Sequence, residues 1–516
     1  MKEMKMEKTL RLILGDQINE NHSWFTSVDP TVTYLLVETR SETDYVRHHI
    51  QKVAGFFAAM RYFAHLLTEK GHQVEYVKIS DEASFPTFGA AVQSVICRFD
   101  FQYFEYQEPD EYRVDQHLNA LKNTLSIPVR MVSSEHFFTT RSDVSRFFEG
   151  KKTLVMERFY RHLRTKEMLL MDGDKPWMNQ WNFDAENRKK IPAKHVVPKP
   201  FLFRNNVVAI VDEIQNAGIK TIGVIDANNY IWPISRQQSL QLLEAFVKDF
   251  LPFFGTFEDA MSKEHWSIYH ARISFSLNTK MVSPREVIAR AIQEWEKRPT
   301  EISYNQLEGF VRQILGWREF MRGVYWAKMP EFASMNFLEH TNPVPDWYWT
   351  GETNMNCMKH AIKQSLDHAY AHHIQRLMVI GNFSLLANIH PDELDQWYLG
   401  IYIDAIEWVE ITNTRGMSQF ADGGIIGTKP YVCSASYMHK MSNYCQGCFY
   451  DKDKKTGEKA CPLNSMYWYF HEKHAEKLAS NPRIGMVYTT LKKMDPEKKE
   501  ALIKQAKLYI NEIHSL

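Results

Sequence analysis

The chain has 516 residues, 44% of them apolar and 24% charged, and its 62 basic and 62 acidic side chains cancel to a formal net charge of zero. That length exceeds one ordinary core and predicts two or more domains. The neutral balance excludes a protein that coats nucleic acid but not one with a local basic groove. No apolar run reaches the ~20 residues of a membrane span. The N-terminal MKEMKMEKTLRLILGDQ turns acidic too early for a signal peptide, so a cytoplasmic protein with no membrane partner is expected.

TLRLILG (9–15), TYLLVE (33–38) and QVEYVKI (73–79) are short apolar runs bounded by turns. Between the last two, HHIQKVAGFFAAMRYFAHLL places Val53, Phe56, Phe57, Met60, Phe63, Ala64 and Leu67 at helical spacing. QYFEYQ (102–107), the helix DQHLNALKNTL and VRMV (129–132) continue the alternation. This predicts an α/β domain over 1–140 with a doubly wound parallel sheet. Ligands of such sheets sit beyond the strand C-termini. LGDQIN (14–19) stands at such an end, where a plain strand-to-helix turn is an equal alternative.

From 141 to 204 the pattern breaks, and the segment reads as a connection running over a surface. Its Arg158, Arg161, Arg164, Arg188, Lys189 and Lys190 suit contacts to phosphates or a solvated linker. From 205 to 516 helical patterning dominates, which predicts a large all-α domain.

Six cysteines remain to be explained. Cys97, in VQSVICRFD, is expected to be a small buried apolar residue, and Cys433 has no close partner in sequence. Cys357, Cys445, Cys448 and Cys461 are spaced C-x87-C, C-x2-C and C-x12-C, with Pro462 after the last. In a reducing compartment such a group points to a metal centre, and four thiolates suit zinc or a cubane cluster. The local spacing favours structural zinc; the reach back to Cys357 is unusual for a zinc ribbon.

HARISFSLNTKMVSPREV (270–287), QILGWREFMRGVYW (313–326), YAHHIQRLMVIGNFSLL (370–386) and WYLGIYIDAIEWVEITNTRGMSQFADGG (397–424) resemble the photolyase/cryptochrome family. The cysteine quartet and YAHHIQRLM are similar to its prokaryotic iron–sulfur branch, the bacterial (6-4) photolyases and related cryptochromes. The resemblance spans essentially the whole chain. It implies an FAD-binding helical domain, light-driven electron donation to a flipped-out (6-4) lesion, and UV-damaged DNA as partner of a monomer.

The resemblance also implies roles for single residues. Ser274, Asn278 and, less directly, Gln313 are FAD contacts, with Arg376 and Asp404 an ion pair beside the isoalloxazine ring and Glu410 opposite flavin N5. His372 and His373 are the proton-handling pair, with Tyr431 lining the same lesion pocket. Trp349, Trp397 and Tyr398 form the aromatic electron relay. Cys357, Cys445, Cys448 and Cys461 hold a [4Fe–4S] cluster. Asp16, Glu42 and Phe56 contact an antenna, 6,7-dimethyl-8-ribityllumazine, although Phe56 is bulkier than the aliphatic residue expected there. Asp184 binds a divalent cation such as Mg or caps a helix. Two other functions stand beside repair. One is a cryptochrome-like photoreceptor with the same cofactors, and the other is an iron–sulfur nucleic-acid-binding protein of primase type.

Overall fold

The computed structural model describes residues 7–81, 84–151, 153–192 and 194–516. All five expected strands form: β1 (Thr9–Leu12), β2 (Val32–Val37), β3 (Gln73–Val77), β4 (Tyr103–Gln107) and β5 (Val129–Val132). They pair in parallel in the order β3-β2-β1-β4-β5. The chain winds outward from β1 in both directions, so the strand order reverses between β1 and β4. A crevice opens at such a reversal, beyond the strand C-termini.

Helices cover both faces of the sheet. On one face, α1 (Ile50–Glu69) buries Val53, Phe57, Met60, Ala64 and Leu67, the stripe its spacing predicts. On the other, α2 (Phe88–Phe99) and α3 (Tyr112–Lys122) cover Leu10, Leu12 and Leu35. Truncating a buried stripe residue such as Phe57 to Ala costs about 3–5 kcal/mol in comparable cores. Cys97 departs from expectation and is exposed. The buried face of α2 runs through Phe88, Ala91, Val92 and Val95, and position 97 falls on the opposite side.

The outer face of α1 packs against the helical half of the chain, including Val211, Tyr230, Trp232 and Phe275. Gly55 permits this approach, because a Cβ there would lie 2.1 Å from the Tyr230 hydroxyl. That hydroxyl donates to Gln51 O at 3.0 Å.

The segment 141–204 is more than a surface connection. Its helix α4 (Met156–Glu167) buries Met156, Phe159, Tyr160 and Leu163 within the helical core. Arg164, expected among phosphate contacts, is fully buried. It donates to Leu169 O and Leu170 O and to the Tyr304 hydroxyl, which fixes the end of α4. Arg161 pairs with Glu157, whereas Arg158, Lys189 and Lys190 are exposed.

Beyond 205 the structure is helical, with α5 (Ser274–Asn278), α6 (Asn356–His368), α7 (Pro391–Ile401), α8 (Pro462–Lys473) and α9 (Pro496–Asn511) bearing on the sites below. Four wide π-type turns interrupt this half among the described residues, at Phe246–Phe250, Arg312–Arg318, Gln375–Gly381 and Thr412–Ser418. Such turns are costly and concentrate at functional sites. No helix among the described residues is long and apolar enough to cross a membrane.

Candidate cofactor and substrate site

Asp404 is the hub of the helical half. It follows α7, and its carboxylate accepts from Arg376 Nη2 at 2.9 and 3.2 Å and from Ser274 Oγ at 2.5 Å. Its backbone carbonyl accepts from Asn278 Nδ2 at 2.7 Å. Arg376 Nη1 lies 3.5 Å from Glu410 Oε2, and its guanidinium stacks 3.7 Å from the Tyr402 ring centroid. Five residues singled out from sequence therefore meet here: Ser274, Asn278, Arg376, Asp404 and Glu410.

Glu410 is buried, and that burial pushes its carboxyl up to about 7, against the pull of Arg376. Two π-type turns approach closely behind this hub. A Cβ on Gly381 would lie 2.1 Å from Ser418 Oγ, so only glycine fits.

Gln313 stands apart from the hub. Its amide donates to Glu258 Oε1 at 2.6 Å. Arg318, on the same wide turn, went unnoticed in sequence beyond its GWREF block. It donates to Asn278 Oδ1 and Leu277 O at 3.3 Å, while its Nη1 is buried without a partner. Among the described residues Arg318 makes no ion pair within 4 Å. A partly buried guanidinium with one free nitrogen beside Asn278 suits a diphosphate, although Glu319 and Asp110 also act on its charge.

The histidines divide at the start of a helix, His373 in its first turn and His372 just before it. His373 is exposed, yet the surrounding protein and nearby Arg376 lower its pKa to about 4. His372 points inward, and neither of its ring nitrogens has a partner. It stacks on His270 with ring centroids 4.4 Å apart and planes 9° apart. Burial holds His270 down to about 3, and its Nε2 is also unpartnered. His270 carries no signal of its own in HARIS, and no spacing rule links it to a residue 102 positions away.

Tyr431 is half-buried, with Arg483, Asp184, Arg188 and Asp259 acting on its hydroxyl. Asp184 does not cap a helix. It begins a single turn whose N-cap is Phe183, and its carboxylate pairs with Arg188.

Rings lead outward from the hub. Tyr402, against Arg376, is 5.4 Å from Tyr398, which is 5.4 Å from Trp397. Trp397 is 5.3 Å from Tyr348, whose carbonyl accepts from Trp397 Nε1 at 3.0 Å. Trp349 follows Tyr348 in the chain and is 37% exposed. Of the three residues singled out from sequence, Trp397 and Tyr398 stand in this run of rings, Tyr348 and Tyr402 join it, and Trp349 makes no ring contact with it among the described residues.

The sheet crevice is a cleft with about 940 Å³ of unfilled space, counting its mouth. Asp16, Glu42 and Phe56 all line it, with His48, Lys52, Asp110 and Glu111. Lys280 holds Asp16 at 3.2 Å and Asp110 at 2.7 Å, and Arg113 grips Glu42 through both oxygens. Phe56 packs edge-on against Phe275 of α5 at 5.4 Å. Ala405 and Ile406 close the cleft from the side of the hub, so the two sites share a wall.

A second pocket is lined by Cys357, Cys445, Cys448 and Cys461 with Met355, Met438, Tyr444, Tyr450 and Leu463. Burial and the other three thiols hold Cys357 well above the ordinary thiol range. Cys433 lies outside that lining. Among the described residues no three His, Cys, Asp or Glu side chains close around a single ion position.

A family model described as "Deoxyribodipyrimidine photo-lyase-related protein" matches residues 11–230. The chain is 38% identical over 507 residues to a protein named (6-4) photolyase from Agrobacterium fabrum, covering 98% of this chain and 99% of that one. The chain belongs to the photolyase/cryptochrome family. Its fold is that of a crystallised bacterial class III photolyase from Agrobacterium tumefaciens, with a TM-score of 0.58 at 14% identity over 99% of this chain and 98% of that one. A Synechocystis sp. PCC6803 cryptochrome shares it with a TM-score of 0.53 at 12% identity, over 80% of this chain and 82% of the other.

Proposed function

We propose that the chain is a light-driven (6-4) photolyase, acting on (6-4) pyrimidine photoproducts in DNA with reduced FAD as electron donor. The observation that carries this reading is the pairing of an accessible His373 with a buried, unpartnered His372, beside the Arg376–Asp404–Glu410 hub. The whole-length likeness to a protein named (6-4) photolyase supports it.

Ser274, Asn278 and Arg318 would hold the FAD diphosphate and ribose, with Arg376 and Asp404 beside the flavin ring. When bound, reduced FAD supplies one light-driven electron. Glu410, at about 7, is poised to hold or release a proton at Oε1, since Oε2 faces Arg376. His373 is neutral in the free protein. Phosphates brought beside it by the substrate would raise its pKa, the direction needed for it to hold a proton. By family resemblance Tyr431 would line the same lesion pocket, and Trp397, Tyr398 and Trp349 would lead an electron in from the surface.

The four cysteines suit a [4Fe–4S] cluster better than zinc. A cubane spreads its thiolates over four irons, whereas one tetrahedral ion draws them together. This centre ties α6 to the loop before α8. The lumazine antenna would sit in the sheet crevice, where His48 and Asp110 Oδ1 present buried polar atoms without hydrogen bonds. A cation at Asp184 would have to displace Arg188. One chain carries every group named, which suits a monomer.

The test is blue-light repair of an oligonucleotide carrying a (6-4) lesion by purified, reduced protein, with a dark control. Light-dependent return of both pyrimidines is expected. Bound FAD and intact DNA binding without repair would replace this reading with a photoreceptor.

A further inference from the structure

His372 and His373 open the helix whose next residues form the wide turn Gln375–Gly381. Gln375 is fully buried. Its Oε1 accepts from the His372 backbone N–H at 3.1 Å, three residues back, which is one half of a capping box. The same oxygen accepts from Gln364 Nε2 at 2.9 Å, and Gln375 Nε2 donates to Gln364 Oε1 at 2.8 Å. Gln364 lies on α6, the helix that begins beside Cys357. Gln375 Nε2 also donates to the Tyr444 hydroxyl at 2.9 Å. Tyr444 is buried, precedes Cys445 in the chain and lines the cysteine pocket.

One amide thus joins the wall of the cysteine pocket to the backbone of the histidine pair. The ring of His372 has no hydrogen bond of its own. Its direction is set by the stack on His270 and by the backbone that Gln375 fixes. A fully satisfied buried network of this kind specifies a single geometry.

We infer that Gln375 is a positioning residue for His372 and His373, and that Tyr444 anchors it to the cysteine pocket. A displacement of a reacting group by 1 Å can cost up to about 10²-fold in rate. The inference uses the photolyase reading for its kinetic readout, but its geometry does not depend on what the cysteines bind.

The test compares Gln375→Met and Tyr444→Phe with the native holoprotein. Gln375→Met should lower repair turnover at saturating lesion DNA about tenfold, with lesion affinity within about twofold and flavin and iron per chain unchanged. Tyr444→Phe, which keeps the Gln364 and His372 bonds, should lower it about threefold. Imidazole nitrogen NMR of histidine-labelled protein gives a second readout. The His372 and His373 signals should move in Gln375→Met, while those of the distant buried pair His340 and His474 stay. Turnover within twofold of native in Gln375→Met overturns the inference. So does loss of turnover in step with loss of flavin or iron. Should the native protein show no light-driven repair, the photolyase reading fails and the NMR decides alone, unmoved His372 and His373 signals sinking the positioning role.

Discussion

The Asp404 hub and the histidine corner adjoin, yet they treat polar groups in opposite ways. At the hub Asp404 is saturated by Ser274, Asn278 and Arg376. At the corner His372 offers two ring nitrogens and His270 one, all buried and unpartnered. An unmet polar group in the interior costs about 1–3 kcal/mol. Under the proposed function the open nitrogens meet a partner in the substrate, and the saturated hub is a rigid wall beside the flavin.

The sharpest break of this contrast is Asp404→Ala. It removes the closer of the two carboxylates on the half-buried Arg376, leaving Glu410 at 3.5 Å, and leaves Ser274 Oγ without its acceptor. Purified protein should lose most of its flavin and melt earlier, read by absorbance and thermal unfolding. His373→Ala should do the reverse, keeping flavin and melting temperature while repair falls about 10²-fold. Native turnover in that variant would remove His373 from the reaction.

The two walls also titrate in opposition. The Glu410 carboxyl is raised to about 7, so the folded state holds its proton above the unfolded value, and this contribution declines as pH rises towards 7. His373, lowered to about 4, contributes stability that is lost as pH falls below the unfolded histidine range towards 4. Glu410→Gln should therefore flatten the decline of melting temperature between about pH 5 and 7. An unchanged slope would mean that Glu410 titrates normally. The smallest effect is expected from Phe56→Leu. It widens the sheet crevice and should raise the fraction of antenna retained on purification, measured from the chromophore absorbance.

The sheet was legible because each strand is a local run, and α1 because its stripe repeats within twenty residues. The cysteine quartet was legible through C-x2-C and the family resemblance. What escaped depends on partners far along the chain. Arg164 reads as a basic linker residue until Tyr304 and the Leu170 carbonyl surround it. Arg318 is one letter of a motif until Asn278 meets it across forty positions. Gln375 has no signature in sequence at all, since its partners Gln364 and Tyr444 lie on other elements. Periodicity reports which face of an element is buried, and it is silent on which two elements that face will join.

The wide turns at Gln375–Gly381 and Thr412–Ser418 have a consequence for length rather than composition. Each residue of a helix advances its direction by about 100°. A wide turn accommodates one more residue than an ordinary helical turn, so deleting one residue there closes it into an ordinary helix with the flanking segments still on their own faces. A deletion in the ordinary helix beyond it would instead swing every later side chain by about 100°. The residue count of this wall is therefore fixed outside its wide turns, and libraries that vary length should leave those outer stretches untouched.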